Sequence, residues 1–360
     1  MSLFFAGVAQ LARALPCQGR GREFESLRPL HDINIYYGKF KKAREVQVSL
    51  METIIARLIP LYVVAFLGYL AGRKLKVTKE SLAPILIYIL SPAVVFFAVL
   101  QTTLDSRILY LPIISFSIGT MVCAISFWLS KFFFSGAVPN LIGFASGDAN
   151  GGYFGIPVAL ALFGSELLPA YIMIVFGLII YENTVGYYVT ARGNFDHREA
   201  IRRIQRLPSL YAFFTAIILN ILNIKVSGPW ADIGLSLRGA YSVLGMMIIG
   251  LGIASLPHWK IDWKMIAFVS VTKFILWPIL IVLLIVLDVS TLKIISPELF
   301  PLLLFFSTLP LAANTVTFAS ELRVEPERAS VAVLASTIVA TFYIPFMYGS
   351  YKYIAEYFRF

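Results

Sequence analysis

Between Ser146 and Gly164 the chain reads SGDANGGYFGIPVALALFG, an acid, an Asn, paired glycines and a proline inside an otherwise apolar stretch. A second run, TLPLAANTVTFASEL (Thr308–Leu322), again joins a proline to an Asn. Amide side chains and bare main-chain N–H groups at helix starts can hold a carboxylate without a permanent counter-charge that would trap it. Asn150, Gly151, Gly152, Gly155, Pro157, Pro310 and Asn314 are therefore the candidate residues for binding a small organic anion.

Ionisable side chains inside apolar stretches are costly and face a cavity or a partner. Asp148, Glu182 and Lys273 are the candidates for ion coupling. An acid at mid-span, such as Asp148, can take up a proton on one side and release it on the other; the alternative is a structural acid, bonded to unwound backbone or paired with Lys273 or Arg238. Glu182, beside Asn183, either extends a proton path or snorkels and pairs near a helix end. Lys273 either attracts the anion or pairs with an acid. Arg57 and Arg238 lie near span ends and are explained by snorkelling.

Other chemistries lack their parts. His31, His197 and His258 all fall outside the apolar stretches, so neither a membrane metal site nor a His-activated nucleophile is expected. SGDAN offers the Gly-Asp pair of intramembrane aspartyl proteases, but no second acid of that type lies in a span. The two cysteines, Cys17 and Cys123, form no disulfide or metal framework. The chain is read as a non-enzyme without a cofactor.

The elements that must position these residues are membrane helices. The chain is 59% hydrophobic and only 14% charged over 360 residues, with a mean hydropathy of +0.80, beyond what one globular core needs. Apolar stretches of about 20 residues, the length that crosses a bilayer as a helix, recur near 53–72, 82–101, 108–129, 139–163, 168–190, 208–224, 234–255, 265–287, 299–319 and 329–350. The breaks after the odd-numbered stretches carry fourteen Lys and Arg, against five after the even-numbered ones and in the C-terminal tail. The positive-inside rule then puts the odd-numbered breaks in the cytoplasm and both termini of the ten-helix unit outside. The net charge of +10 follows mostly from this asymmetry and gives no reason to expect nucleic-acid binding.

The longest and most basic break, 191–207, separates five stretches (51–190) from five more (208–360). An odd number per half turns the second half over. The expected fold is all-α and integral to the membrane, ten transmembrane helices in two inverted repeats of five. Helices 4 and 9 then correspond, and each carries a mid-span proline and an Asn. Proline removes a backbone donor and clashes with the preceding turn, so both helices are expected to be broken, crossing at the midplane with their freed backbone facing protein or a wet cavity.

Residues 1–50 contain eight Lys and Arg, which would draw the N-terminus to the cytoplasm, against this orientation. Within them GVAQLARALPCQGRGREFESLRP (Gly7–Pro29) looks like the translation of a transfer-RNA gene. Residues 1–50 are therefore read as a mis-assigned N-terminal extension, and Met51 is taken for the start. The alternative is a genuine basic cytoplasmic or targeting segment.

NGGYFGIPVALALFG (Asn150–Gly164) resembles the Asn-x-Gly-[Phe/Tyr]-x-Gly-x-Pro signature of the auxin efflux carrier family in its prokaryotic branch. LSPAVVFFAVL (Leu90–Leu100) is similar to that family's second helix, and TLPLAANTVTFASEL to its ninth. The resemblance implies two inverted repeats, a scaffold group and a transport group of helices, and elevator-type alternation that carries an organic anion past the crossover of helices 4 and 9. For the prokaryotic branch it also implies a permease of malate, malonate or another small carboxylate. YSVLGMMIIGLG (Tyr241–Gly252) departs from the family in lacking a proline before its apolar run.

The expected function is thus secondary active transport of a small organic anion, a carboxylate, across the cytoplasmic membrane, with a proton or sodium as coupling ion. A homodimer is compatible with this. The rival classes are a sodium-coupled bile-acid-like symporter or a cation/proton antiporter of related fold, and a non-transporting membrane receptor.

Overall fold

The computed structural model describes residues 52, 55–56, 59–102, 108–224, 226–256 and 261–358. The expectations placed on residues 1–50, on Arg57 and on His258 lie outside them. All regular elements among the described residues are helices.

Helix α1 covers residues 59–74, followed by α2 (Lys79–Gln101) and α3 (Tyr110–Ser130). Next come two short helices, α4 (Val138–Gly147) and α5 (Ile156–Phe163). Then follow α6 (Leu168–Ala191), α7 (His197–Gln205), α8 (Pro208–Ile221), α9 (Pro229–Ala254) and α10 (Trp263–Leu292). The chain ends with α11 (Pro297–Ser307), α12 (Asn314–Glu321) and α13 (Pro326–Phe358).

Six of these, α2, α3, α6, α9, α10 and α13, are long and apolar enough to cross a membrane, and the pair α7–α8, bent by 44°, makes a seventh if counted as one span. The stretches 138–163 and 297–321 are each split in two. Proline explains several of the starts: α4, α8 and α9 all have one in their first two positions, where a missing N–H costs no hydrogen bond. Two others start on an acid. Asp196 caps α7 by accepting from the Glu199 N–H at 2.8 Å, and Asp262 caps α10 by accepting from that of Met265 at 3.0 Å.

Large apolar side chains face outward along α8 and α10, among them Phe214, Ile218, Leu283 and Val286. In water such faces would be liabilities; in a bilayer they are the lipid surface. Inside, α1 and α9 meet so closely that a Cβ on Gly68 would strike the Met247 main chain and one on Gly250 that of Ala65. Contacts of this kind hold membrane helices together where no hydrophobic drive separates helix from lipid.

Candidate functional site

The first interruption falls at 148–150 and the second at 308–313. Asp148 has extended backbone (φ −101°, ψ 164°) and ends α4. Asn150 then accepts on Oδ1 from the Phe154 N–H at 3.1 Å, starting a wide π-helical turn, Gly151–Gly155, that runs into α5.

Here the structure corrects the sequence reading. Pro157 does not coincide with the break; it follows the π-helical turn Gly151–Gly155, whose backbone is already helical. The break precedes it, so Asp148 sits in the break itself rather than inside a helix before it. Pro310 does lie within the second break.

The two breaks are bonded to each other. The Asn150 N–H donates to the Pro310 carbonyl at 2.9 Å, and the next amide after the proline, Leu311 N–H, donates to Ser336 Oγ of α13 at 3.1 Å. Backbone that leaves helical pairing inside a membrane must find such partners.

The end of α4 exposes carbonyls that its own helix cannot satisfy, and side chains of α6 and α10 take them up. Tyr181 O–H donates to Phe144 O at 3.1 Å, Trp277 Nε1–H to Ser146 O at 2.6 Å, and Lys273 Nζ to Asp148 O at 2.7 Å. Lys273 thus places its ammonium at the negative end of the α4 dipole, and 4.1 Å from the centre of the Trp277 ring. Ser146 Oγ and Thr272 Oγ1 are joined at 2.8 Å beside them.

Asp148 and Lys273 have no solvent exposure, and Glu182 is buried as well. Asp148 Oδ1 accepts from the Ala149 N–H at 2.7 Å, whereas Oδ2 is buried without any donor. The carboxyl of Glu182 lies within interaction range of it. Glu182 in turn accepts from Asn314 Nδ2 at 2.9 Å, and Asn314 Oδ1 accepts from Tyr241 O–H at 2.9 Å. A hydrogen-bonded chain therefore runs from α6 through the start of α12 to α9, with Asp148 of the first break beside its Glu182 end. Glu182 belongs to this centre and is buried, not snorkelling at a helix end, while Arg238 is exposed.

The candidate anion-binding residues divide. Asn150 and Pro310 are bonded where the two breaks meet, and Asn314 starts the helix after the second break, held by Glu182. The Gly151 carbonyl accepts from Tyr171 O–H at 2.9 Å, and a side chain at Gly155 would collide with the same hydroxyl, so these two glycines serve packing. Gly152 alone of the three faces open space.

Sequence reasoning missed Tyr241, Trp277, Tyr171, Tyr181 and the Ser146–Thr272 pair. In a chain with 29 Phe, 18 Tyr and 5 Trp an aromatic in a span reads as apolar filling, and nothing marks the few whose polar atom holds a break. The absence of a proline in the Tyr241 segment is matched by an α9 that runs unbroken.

No protein-family model matches the chain. It is 24% identical over 304 residues, 81% of its length and 93% of the relative's, to a protein of Rhizobium meliloti named "Putative malonate transporter". It is also 27% identical over 238 residues, 63% of its length and 76% of the relative's, to an "Uncharacterized transporter" of Methanocaldococcus jannaschii. With its apolar helices, the chain stands with these relatives as a multi-pass membrane protein.

Proposed function

We propose that the protein is a secondary active transporter that moves a small organic anion, a carboxylate, across the cytoplasmic membrane. The observation that carries this reading is the pair of interrupted helices bonded break to break, with Asp148, Glu182 and Lys273 buried around them and Asn314 half-buried against Glu182. Interrupted helices inside a membrane put helix ends and unwound backbone beside a ligand. They cost stability, and alternating access gives them a use.

In this reading the interrupted stretches are helices 4 and 9 of a ten-span unit of two inverted repeats, with both termini of that unit outside. The fit of 191–207 as a basic cytoplasmic linker, and the resemblance to auxin efflux carriers, support it. Asn150, Asn314 and the backbone at Gly152 receive the carboxylate, and Asp148, Glu182 and Lys273 carry the ion coupling, with proton or sodium as the ion. A relative named for malonate makes short dicarboxylates the first substrates to try.

The test is uptake by proteoliposomes of labelled mono- and dicarboxylates, with pH and sodium gradients imposed independently. Gradient-dependent accumulation of at least one carboxylate is expected. Binding without accumulation under every gradient would favour a receptor.

A further inference from the structure

Asp148 Oδ2 is a fully buried carboxyl oxygen that accepts no hydrogen bond, and its neighbour is a second buried carboxyl, that of Glu182. Two carboxylates cannot hydrogen-bond to each other; a carboxylic acid and a carboxylate can. The ammonium of Lys273 does not resolve the matter, because its hydrogen bond goes to the main-chain carbonyl of Asp148. Around the pair, Tyr181 from α6, Tyr153 from the turn before α5 and Tyr241 from α9 bring phenols, and Cys123 from α3 brings a thiol behind Tyr181. Lys273 is the one cation facing the pair among the described residues.

Charge counting then selects a state. Two carboxylates and one ammonium leave a net negative charge in a site without solvent, which is costly. One bound proton brings the sum to zero and supplies the missing hydrogen bond.

We infer that Asp148 and Glu182 share one proton, and that this proton is the coupling ion, carried in the same direction as the anion. This rests on the transporter reading above. Sodium fits the site poorly, since the carbonyl at the break, which a cation would use, is already held by an ammonium. With the proton bound the cluster is neutral and a carboxylate can approach the crossover. Once the proton leaves to the open aqueous side, the cluster turns negative and expels the anion. Glu182 is the acceptor of the Asn314 amide, so loss of the proton leaves a fuller negative charge on that acceptor, tightens its hold on Asn314 and is felt along the link from Asn314 to Tyr241.

Infrared difference spectroscopy of the protein in lipid tests the shared proton directly. A carboxylic C=O band that shifts in D2O is expected near neutral pH, unaffected by sodium, and absent from both Asp148→Asn and Glu182→Gln. Each amide can donate to the remaining carboxylate and reproduces the neutral cluster. A band that survives in Glu182→Gln, or no such band in the parent, overturns the proposal. Should one variant not fold, the other gives the same reading.

Transport provides the second arm. Asp148→Asn should lose at least about tenfold of the accumulation of labelled anion that a pH gradient drives. Sodium-driven accumulation with no response to pH would overturn the coupling role. If the band behaves as expected while no carboxylate is transported, the shared proton stands and the transporter reading falls.

Discussion

Along α1 and α9 two main chains meet through glycines, whereas at the crossover two main chains meet through hydrogen bonds. In the first case a Cβ on Gly68 or Gly250 has nowhere to go. In the second, Asn150 bonds Pro310 across the two breaks, and Asn314 bonds Glu182 of α6 and Tyr241 of α9. Close packing has one good geometry, because a small displacement opens voids or forces clashes. A hydrogen-bonded seam can exchange partners at a net cost of about 1 kcal/mol for each bond. The glycine seam is thus the harder of the two to shift, and the hydrogen-bonded one the easier.

The largest effect is expected where the crossover is deprived of its cation. Lys273→Met leaves the Asp148 carbonyl without a donor and two buried acids without a compensating charge, a loss of about 4 kcal/mol. Thermal unfolding in detergent measures it, and Asp148→Asn added to Lys273→Met should restore part of the loss. A Lys273→Met protein as stable as the parent would mean the ammonium is held for function alone.

Gly250→Leu attacks the other seam. The new side chain must push α1 away from α9, at a cost of about 3 kcal/mol. Here no second-site change of a polar residue should rescue. If Tm is unchanged, α1 yields readily and the contrast between a fixed and a movable seam collapses.

A smaller loss is expected from Tyr241→Phe, which removes the donor to Asn314 Oδ1 and leaves the ring contact with Tyr153, whose centroid is 5.2 Å away. About 1 kcal/mol is the expected drop in stability. The rate of transport should change more than the substrate affinity, because the bond joins two elements that shift against each other in the proposed cycle.

The contrast between the seams also marks what the sequence disclosed. The ionisable residues in the spans, and an Asn with a proline in each of two stretches, stood out because membrane helices tolerate such residues poorly. The exact place of the first break did not, because Pro157 looked like its cause, whereas the helix is already interrupted at Asp148–Asn150 and resumes before the proline. Nor could spacing show that Tyr181, Trp277 and Lys273 would close the end of α4. Those hydrogen bonds join residues far apart in sequence and depend on how α6 and α10 pack.

The weakest perturbation separates stability from function best. Gly152→Ala adds a Cβ that meets nothing within 4 Å, so unfolding temperature should stay within the range of an ordinary surface change, about 0.5 kcal/mol either way. If the open space at Gly152 is where the carboxylate reaches the backbone of the broken helix, that methyl group stands in its path. The half-saturating substrate concentration should then rise about tenfold, equivalent to about 1.4 kcal/mol of lost binding, with exchange at saturation preserved. An unchanged affinity would move the anion to the Asn314 side of the crossover and leave Gly152 a feature of the turn alone. Either result is legible because nothing else touches the added atom, a condition that neither glycine of the α1–α9 seam can meet.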